Sequence, residues 1–298
     1  MPVSKKLKDA QTQDTNRLLA LQLPAWRGDV RAIPNVLARH SIFTVCADNQ
    51  REELKEKVIV DRDGMIIKFT GTTLNQYDLT VWEAISEIAE VFHNGAPVTT
   101  RELLRTIKNL KKKNAQQELM RIGGEQLKPL RNSVKRLVAS VVEIRYNNII
   151  YFGHLLDDAS ILVDTRERPI GWNFRINLSF KQFLAPREVT RINWALRLRL
   201  EKTQLSQWLQ LYCTTHTRPL PKTMEQLREA SQSKNKTLFG FRAYALKSLE
   251  RLKEEAAAVG EYFDYYYDRD SDTVYFFNKH TTKDQMDAAN APENFRLQ

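Results

Sequence analysis

The residue groups in this sequence that could do chemistry imply different kinds of it. Tyr265-Tyr266-Tyr267 could supply a phenolate that attacks a phosphodiester. A DNA-nicking enzyme of that type also needs closely spaced histidines to hold a metal ion beside the tyrosine. His40, His93, His154, His216 and His280 are isolated and never alternate, so the tyrosines read as strand aromatics on a hairpin. Asp157-Asp158 and the turn from Asp268 to Asp272 contain paired acids. Neither has the ligand spacing of a calcium loop, and both read as solvated turns. No G-x-x-x-x-G-K-[ST] stretch is present to cradle phosphates, and Gly123-Gly124 reads as a turn opening a helix. We therefore expect no catalytic centre, no metal site and no cofactor.

The other group is basic. The 298-residue chain has a formal net charge of +10, which calls for an anionic partner, nucleic acid or an anionic membrane surface. Proteins bind duplex DNA by neutralising phosphates and read it with side chains in the major groove. Lys128, Asn132, Lys135 and Arg136 lie opposite an apolar stripe of Leu127, Leu130 and Val134, with Arg131 on the flank. Arg101, Arg105, Lys108, Lys111, Lys112, Lys113 and Arg121 lead up to them, opposed by Glu102, Glu118 and Glu125. Lys236, Gly240, Ala243 and Lys247 lie opposite a second stripe of Leu238, Phe241, Ala245 and Leu249. Arg242 sits at the edge, and Lys234, Lys236 and Thr237 mark the helix start. Gly240 and Ala243 are small enough to bring a helix close to base edges. Either helix alone is equally well described as a solvated face; recurrence of the pattern in one chain favours DNA. Arg187, Arg191, Arg197 and Arg199 read equally as phosphate contacts between domains or as a solvated stripe.

The elements that must position these residues follow from periodicity. Met1 to about Arg27 is polar and reads as a mobile arm with a short helix. Val58-Ile59-Val60 and Ile66 to Thr70 flank Asp63-Gly64 as a hairpin. Asp78 resembles an N-cap for a helix carrying Leu79, Trp82, Ile85, Ile88, Ala89 and Phe92. Thr99 or Thr100 caps a second helix to about Lys108. A third carries Leu127, Leu130, Val134, Val138 and Val141. Strands Val141 to Tyr146 and Ile149 to Leu155 follow, with further strands at Ser160 to Thr165 and Trp172 to Leu178. The order then recurs: a helix from Arg191 to about His216, another from Thr223 to about Ser231, a third from Thr237 to Ala257, and a hairpin from Tyr262 to Phe277. Three helices and a hairpin are the order of a winged helix. The expected fold is α+β: two tandem winged-helix domains (helix-turn-helix plus β-wing) over residues 31–184 and 185–280, an arm at 1–30 and a loose tail at 281–298. No close sequence repeat is evident between the halves. Cys46 and Cys213 are far apart and read as reduced thiols of a cytoplasmic protein. No transmembrane stretch or secretory signal is evident.

One stretch resembles the TrfA-type initiators of plasmid replication. It runs Pro24-Ala25-Trp26, Arg31-Ala32-Ile33-Pro34-Asn35, Ala38-Arg39 and Ser41-Ile42-Phe43-Thr44. The similarity continues through Val58-Ile59, Phe69-Thr70-Gly71, Leu74 and Asp78 to Trp82, and reaches the helix around Leu127 to Leu137. The resemblance implies binding to direct repeats (iterons) at a plasmid origin, melting of neighbouring DNA, and recruitment of a host replication initiator, a helicase and a sliding clamp. It also implies a monomer–dimer equilibrium serving copy number control. TrfA-type proteins can carry a clamp-binding motif of the Gln-Leu-x-Leu-Phe kind before the Pro-Trp run. Leu18-Leu19-Ala20-Leu21-Gln22-Leu23 keeps leucines but lacks the leading glutamine and terminal aromatic, and reads equally as a helix packing on the first domain. The other readings are a winged-helix transcriptional repressor or partition-type sequence-specific DNA binder, which would occlude DNA without melting it, a nicking enzyme, and a basic protein on membranes. The arm is too weakly amphipathic for the last.

Overall fold

The computed structural model describes residues 30–62, 64–91, 97–108, 124–146, 149–167, 169–176 and 189–281. The fold mixes helices with several small sheets. The arm, Lys111, Lys112, Lys113, Arg121, Arg187 and the tail beyond residue 281 lie outside the described residues.

The first half opens with β1 (Val30–Pro34), α1 (Asn35–Ala38) and β2 (Phe43–Thr44). β3 (Glu53–Arg62) and β4 (Met65–Thr72) then form the expected hairpin, with Gly64 at φ +73°, a conformation that L side chains disfavour. β5 (Leu74–Asn75) leads into α2 (Gln76–Val91), β6 (Val98–Thr99), α3 (Thr100–Lys108) and α4 (Gly124–Ala139). Four strands follow: β7 (Val141–Tyr146), β8 (Ile149–His154), β9 (Leu156–Val163) and β10 (Pro169–Ile176). The second half contains β11 (Val189–Asn193), α5 (Trp194–Arg199), α6 (Gln204–Thr215), β12 (Lys222–Thr223), α7 (Met224–Ala230), α8 (Leu238–Ala258), β13 (Phe263–Asp268) and β14 (Thr273–Asn278).

The two halves share an order that their sequences barely advertise. A first helix (α2, α6) precedes a two-residue strand (β6, β12), two further helices (α3–α4, α7–α8) and an antiparallel pair whose last strand returns to the short one. Trp172 and Gly171 of β10 pair with Val98 and Thr99, as Val274 and Thr273 of β14 pair with Lys222 and Thr223. Short motifs sit at matching places. Leu79-Thr80-Val81-Trp82 on α2 matches Leu205-Ser206-Gln207-Trp208 on α6, with both leucines and both tryptophans buried. Pro97-x-Thr99-x-x-Glu102-Leu103 matches Pro221-x-Thr223-x-x-Gln226-Leu227. In each, the threonine hydroxyl accepts from the backbone three residues on (3.1 and 3.2 Å), and the Glu or Gln side chain accepts from the threonine amide (3.0 and 3.1 Å). These are capping boxes, which satisfy otherwise orphaned amides at the helix start.

The third helices match as well. Leu130, Ser133, Val134 and Leu137 of α4 are buried at the spacing of Ala245, Ser248, Leu249 and Leu252 of α8. That spacing turns one stripe of each helix into its core and leaves the opposite stripe to solvent.

Several expectations need correction. The hairpin directly after α4 is not the one that returns to the short strand. β7 pairs with β4, and β3-β4-β7-β8 form a four-stranded antiparallel sheet that covers Ile67 and Phe69 with Val142 and Ile144. β9–β10 plays the returning part instead. The stripe of α4 also uses Leu137 where Val138 was expected; Val138 is only half-buried, and Val141 belongs to β7. The helix expected from Arg191 is a strand followed by two helices. Val189, Thr190 and Ile192 favour the extended chain that pairs with β1, Asn193 caps α5 through the Leu196 amide (3.0 Å), and the chain turns again before Thr203. Asp78 is not the cap of α2. Asn75 is: its Oδ1 accepts from the amides of Tyr77 and Asp78 (3.0 and 3.3 Å), while Asp78 Oδ2 accepts from the Asn75 amide at 2.9 Å.

The run from Arg31 to Thr44, which carries the strongest family resemblance, forms the seam between the halves. β1 pairs with β11 along its whole length. The Arg31 guanidinium bonds Glu87 of α2 at 2.7 Å and lies 5.2 Å over the Trp194 ring. Arg39 donates to the Thr215 carbonyl (3.0 Å), Ser41 to the Ala230 carbonyl, and Trp208 to Ser41 Oγ (3.3 Å). Arg197 of α5 is fully buried and reaches the Gln76 carbonyl of α2 at 2.9 Å.

Candidate nucleic-acid interface

The outward stripe of α4 carries Lys128, Arg131, Asn132 and Lys135, all exposed and none bonded to a described side chain or carbonyl. Arg101 and Lys108 of α3 are exposed alongside in sequence, while the Glu102 carboxylate is committed to its capping box. Arg136 differs. It is largely buried, and its Nη2 bonds Asp78 Oδ1 at 2.7 Å. Asp78 is fully buried and also accepts from Arg51 Nη1 at 2.7 Å. Arg51 in turn holds Asp48 at 2.8 Å. Arg136 thus belongs to a buried ion cluster that ties α4 to α2, and is withdrawn from the free basic face. Periodicity places it on that face; it could not show a carboxylate waiting 58 residues earlier in the chain.

On α8, Lys236, Thr237, Ala243 and Lys247 are exposed. Thr237 is the N-cap, its hydroxyl accepting from the Gly240 amide at 3.1 Å. A Cβ on Gly240 would lie 3.1 Å from that hydroxyl oxygen, so the glycine protects the cap whatever else it does. Arg242 is not free: it grips Asp272 with two bonds of 2.8 Å and so fixes the β13–β14 turn to the helix. Asp272 sits at φ +52° and also accepts from the Tyr267 hydroxyl at 2.6 Å. Lys234 bonds Glu52 of the first half at 2.7 Å, a second clasp across the seam. Phe239, which the sequence reading passed over, is 79% exposed. Its signal was an apolar residue on the polar phase of the helix.

Of the four arginines left open between two readings, Arg187 lies outside the described residues and the other three separate. Arg197 is buried under α2, Arg199 pairs with Glu255, and Arg191 lies on β11 rather than on a helix face. The tyrosine run lies on β13. Tyr265 donates to Glu250 at 3.0 Å, and burial followed by that acceptor pushes its hydroxyl up to about 12, opposite to the need of a nucleophile. Tyr266 packs on Tyr275 across the hairpin, with ring centroids 6.0 Å apart. Both cysteines are buried free thiols. Among the described residues no cluster of His, Cys, Asp or Glu could hold a metal ion, and no helix is long and apolar enough to cross a membrane.

The sequence profile of one known family, described as TrfA protein, matches residues 3–261. No curated protein matches the chain. The profile spans most of the sequence, including both basic helices, and the chain belongs to the TrfA family of plasmid replication initiators.

Proposed function

We propose that this protein binds direct repeats in a plasmid origin through two winged-helix units, and thereby helps melt the origin and brings in a host initiator and helicase. The protein acts by binding and carries no active site of its own. The observation that carries this reading is the recurring set of a helix, a short strand, two helices and an antiparallel pair returning to the short strand (with β7–β8 interposed in the first half), in which each third helix turns a buried stripe inward and presents unpaired basic or small residues outward. A recognition helix needs that division, because phosphate contacts supply affinity and the base edges supply selectivity. α4, with Lys128, Arg131 and Lys135, suits phosphate anchoring. α8, with Lys236, Gly240, Ala243 and Lys247, suits close approach to bases. The fixed seam between the halves would hold the two helices in register on one repeat.

Footprinting the purified protein on its own origin DNA, at about 0.15 M salt with competitor, tests this reading. Protection of regularly spaced direct repeats is expected. A single protected palindrome, or no specific protection, would contradict it.

A further inference from the structure

Phe239 has the highest exposure of any large apolar side chain among the described residues, on the first turn of α8. Its neighbours explain why it does not turn inward. Phe241, Ala245, Ser248, Leu249 and Leu252 already fill the buried stripe of this helix. Phe239 starts the opposite stripe, which continues through Ala243 to Lys247, with Lys236 just before the helix. Exposing a phenyl ring forgoes the burial that normally favours folding, so its position calls for a partner.

The surroundings say which partner. From Leu238 to Lys247 the helix carries no acidic residue, whereas the exposed Glu250 and Glu254 follow further along. The end that carries Phe239 is therefore the only part of this helix face suited to a polyanion. Lys236 precedes the ring by three residues, Lys247 lies two turns beyond it on the same stripe, and both are engaged with no described residue. An apolar groove on a protein would not need that basic frame. In a DNA major groove a phenyl ring cannot bond base edges, but it can pack against the one apolar group displayed there, the thymine 5-methyl. Ala243 follows one turn on, roughly 6 Å along the axis at about 1.5 Å per residue, and extends the apolar contact to a neighbouring base step.

We propose that Phe239 is a specificity-determining residue that reads thymine 5-methyl groups in the bound duplex; this rests on the DNA-binding reading above. The test begins by selecting preferred duplexes from a random pool with the full chain. The preferred site is then synthesised with thymine, or with deoxyuracil at each thymine in turn, which deletes the methyl and leaves pairing intact. The wild type is expected to bind about fourfold more weakly for each contacted methyl removed, the ratio equivalent to one buried methyl group. Phe239→Ala should bind the thymine duplex more weakly and lose its sensitivity to uracil. Its unfolding should be unchanged, because the ring is exposed. A preferred sequence whose binding ignores every methyl, or a Phe239→Ala protein that keeps the full uracil penalty, would overturn this assignment alone. Failure of the pool to yield any preferred sequence would overturn the DNA-binding reading and this assignment with it.

Discussion

Replacing Asp78 with Asn should damage the protein more than removing any exposed lysine of α4. The carboxylate is fully buried and bonds Arg51 and Arg136, each at 2.7 Å, and their side chains are only 7% and 15% exposed. Asp78→Asn keeps the shape but leaves the buried Arg136 guanidinium without its carboxylate and Arg51 with only the exposed Asp48. Breaking a buried pair from one side costs about 3–5 kcal/mol. Arg136→Met leaves Asp78 with Arg51 and should cost less, about 1.5–3 kcal/mol for a lost charged hydrogen bond. Urea unfolding followed by circular dichroism measures both. The same proteins are then titrated with salt in a duplex-binding assay. Arg136→Met should leave the salt slope unchanged, while Lys135→Ala should lower it by about 0.9, the value for one lost phosphate contact on duplex DNA. Two results would refute the reasoning: an Asp78→Asn protein within about 1 kcal/mol of wild type, or an Arg136→Met protein of full stability with a reduced salt slope. The second would return Arg136 to the DNA-binding face.

Further expectations follow from the same contacts. Glu83 is fully buried, and its carboxyl is pushed up to about 8 from 4.5, chiefly by burial and against the pull of Arg197 and Arg31. The folded state therefore holds this proton more tightly than the unfolded chain. Its contribution is complete below about pH 4.5 and is lost as pH rises toward 8. Glu83→Gln should flatten the decline of the melting temperature across that window, and an unchanged pH profile would count against the assignment. Arg242→Leu should free the turn between β13 and β14, read as faster amide exchange from Asp270 to Thr273 with α8 still protected; equal protection of that turn would show the Asp272 clasp to be unimportant. Thr99→Ala and Thr223→Ala remove matched capping boxes and should each cost about 1 kcal/mol in urea unfolding. If only one did, the two halves would not be using the motif alike.

What the sequence made legible was local. The stripe of Leu127, Leu130 and Val134 and the stripe of Phe241, Ala245 and Leu249 stand out because burial repeats every three to four residues. The β3–β4 and β13–β14 hairpins stand out because turn residues separate alternating strands. What stayed hidden was long-range. Nothing near Val141 says that β7 pairs back to β4, and nothing near Val189 says that its partner is β1. Arg136 and Arg242 look like ordinary basic residues on a helical wheel, and Lys234 like one on the approach to α8, yet Asp78, Asp272 and Glu52 engage all three from distant parts of the chain or from the facing hairpin. The repeated Leu-[Thr/Ser]-x-Trp and Pro-x-Thr-x-x-[Glu/Gln]-Leu motifs were visible throughout, but they are short and gain meaning only when the structure places them at matching positions.

The central claim, that both third helices engage DNA, is tested most directly by one salt titration. Binding of a preferred duplex would be measured from about 50 to 200 mM salt for the wild type, for Lys128/Arg131/Lys135→Ala and for Lys236/Lys247→Ala. The account predicts a slope flatter by up to roughly 2.7 for the first variant, with its sequence preference kept, and weakened sequence preference for the second. Wild-type slope and preference in both variants would contradict it.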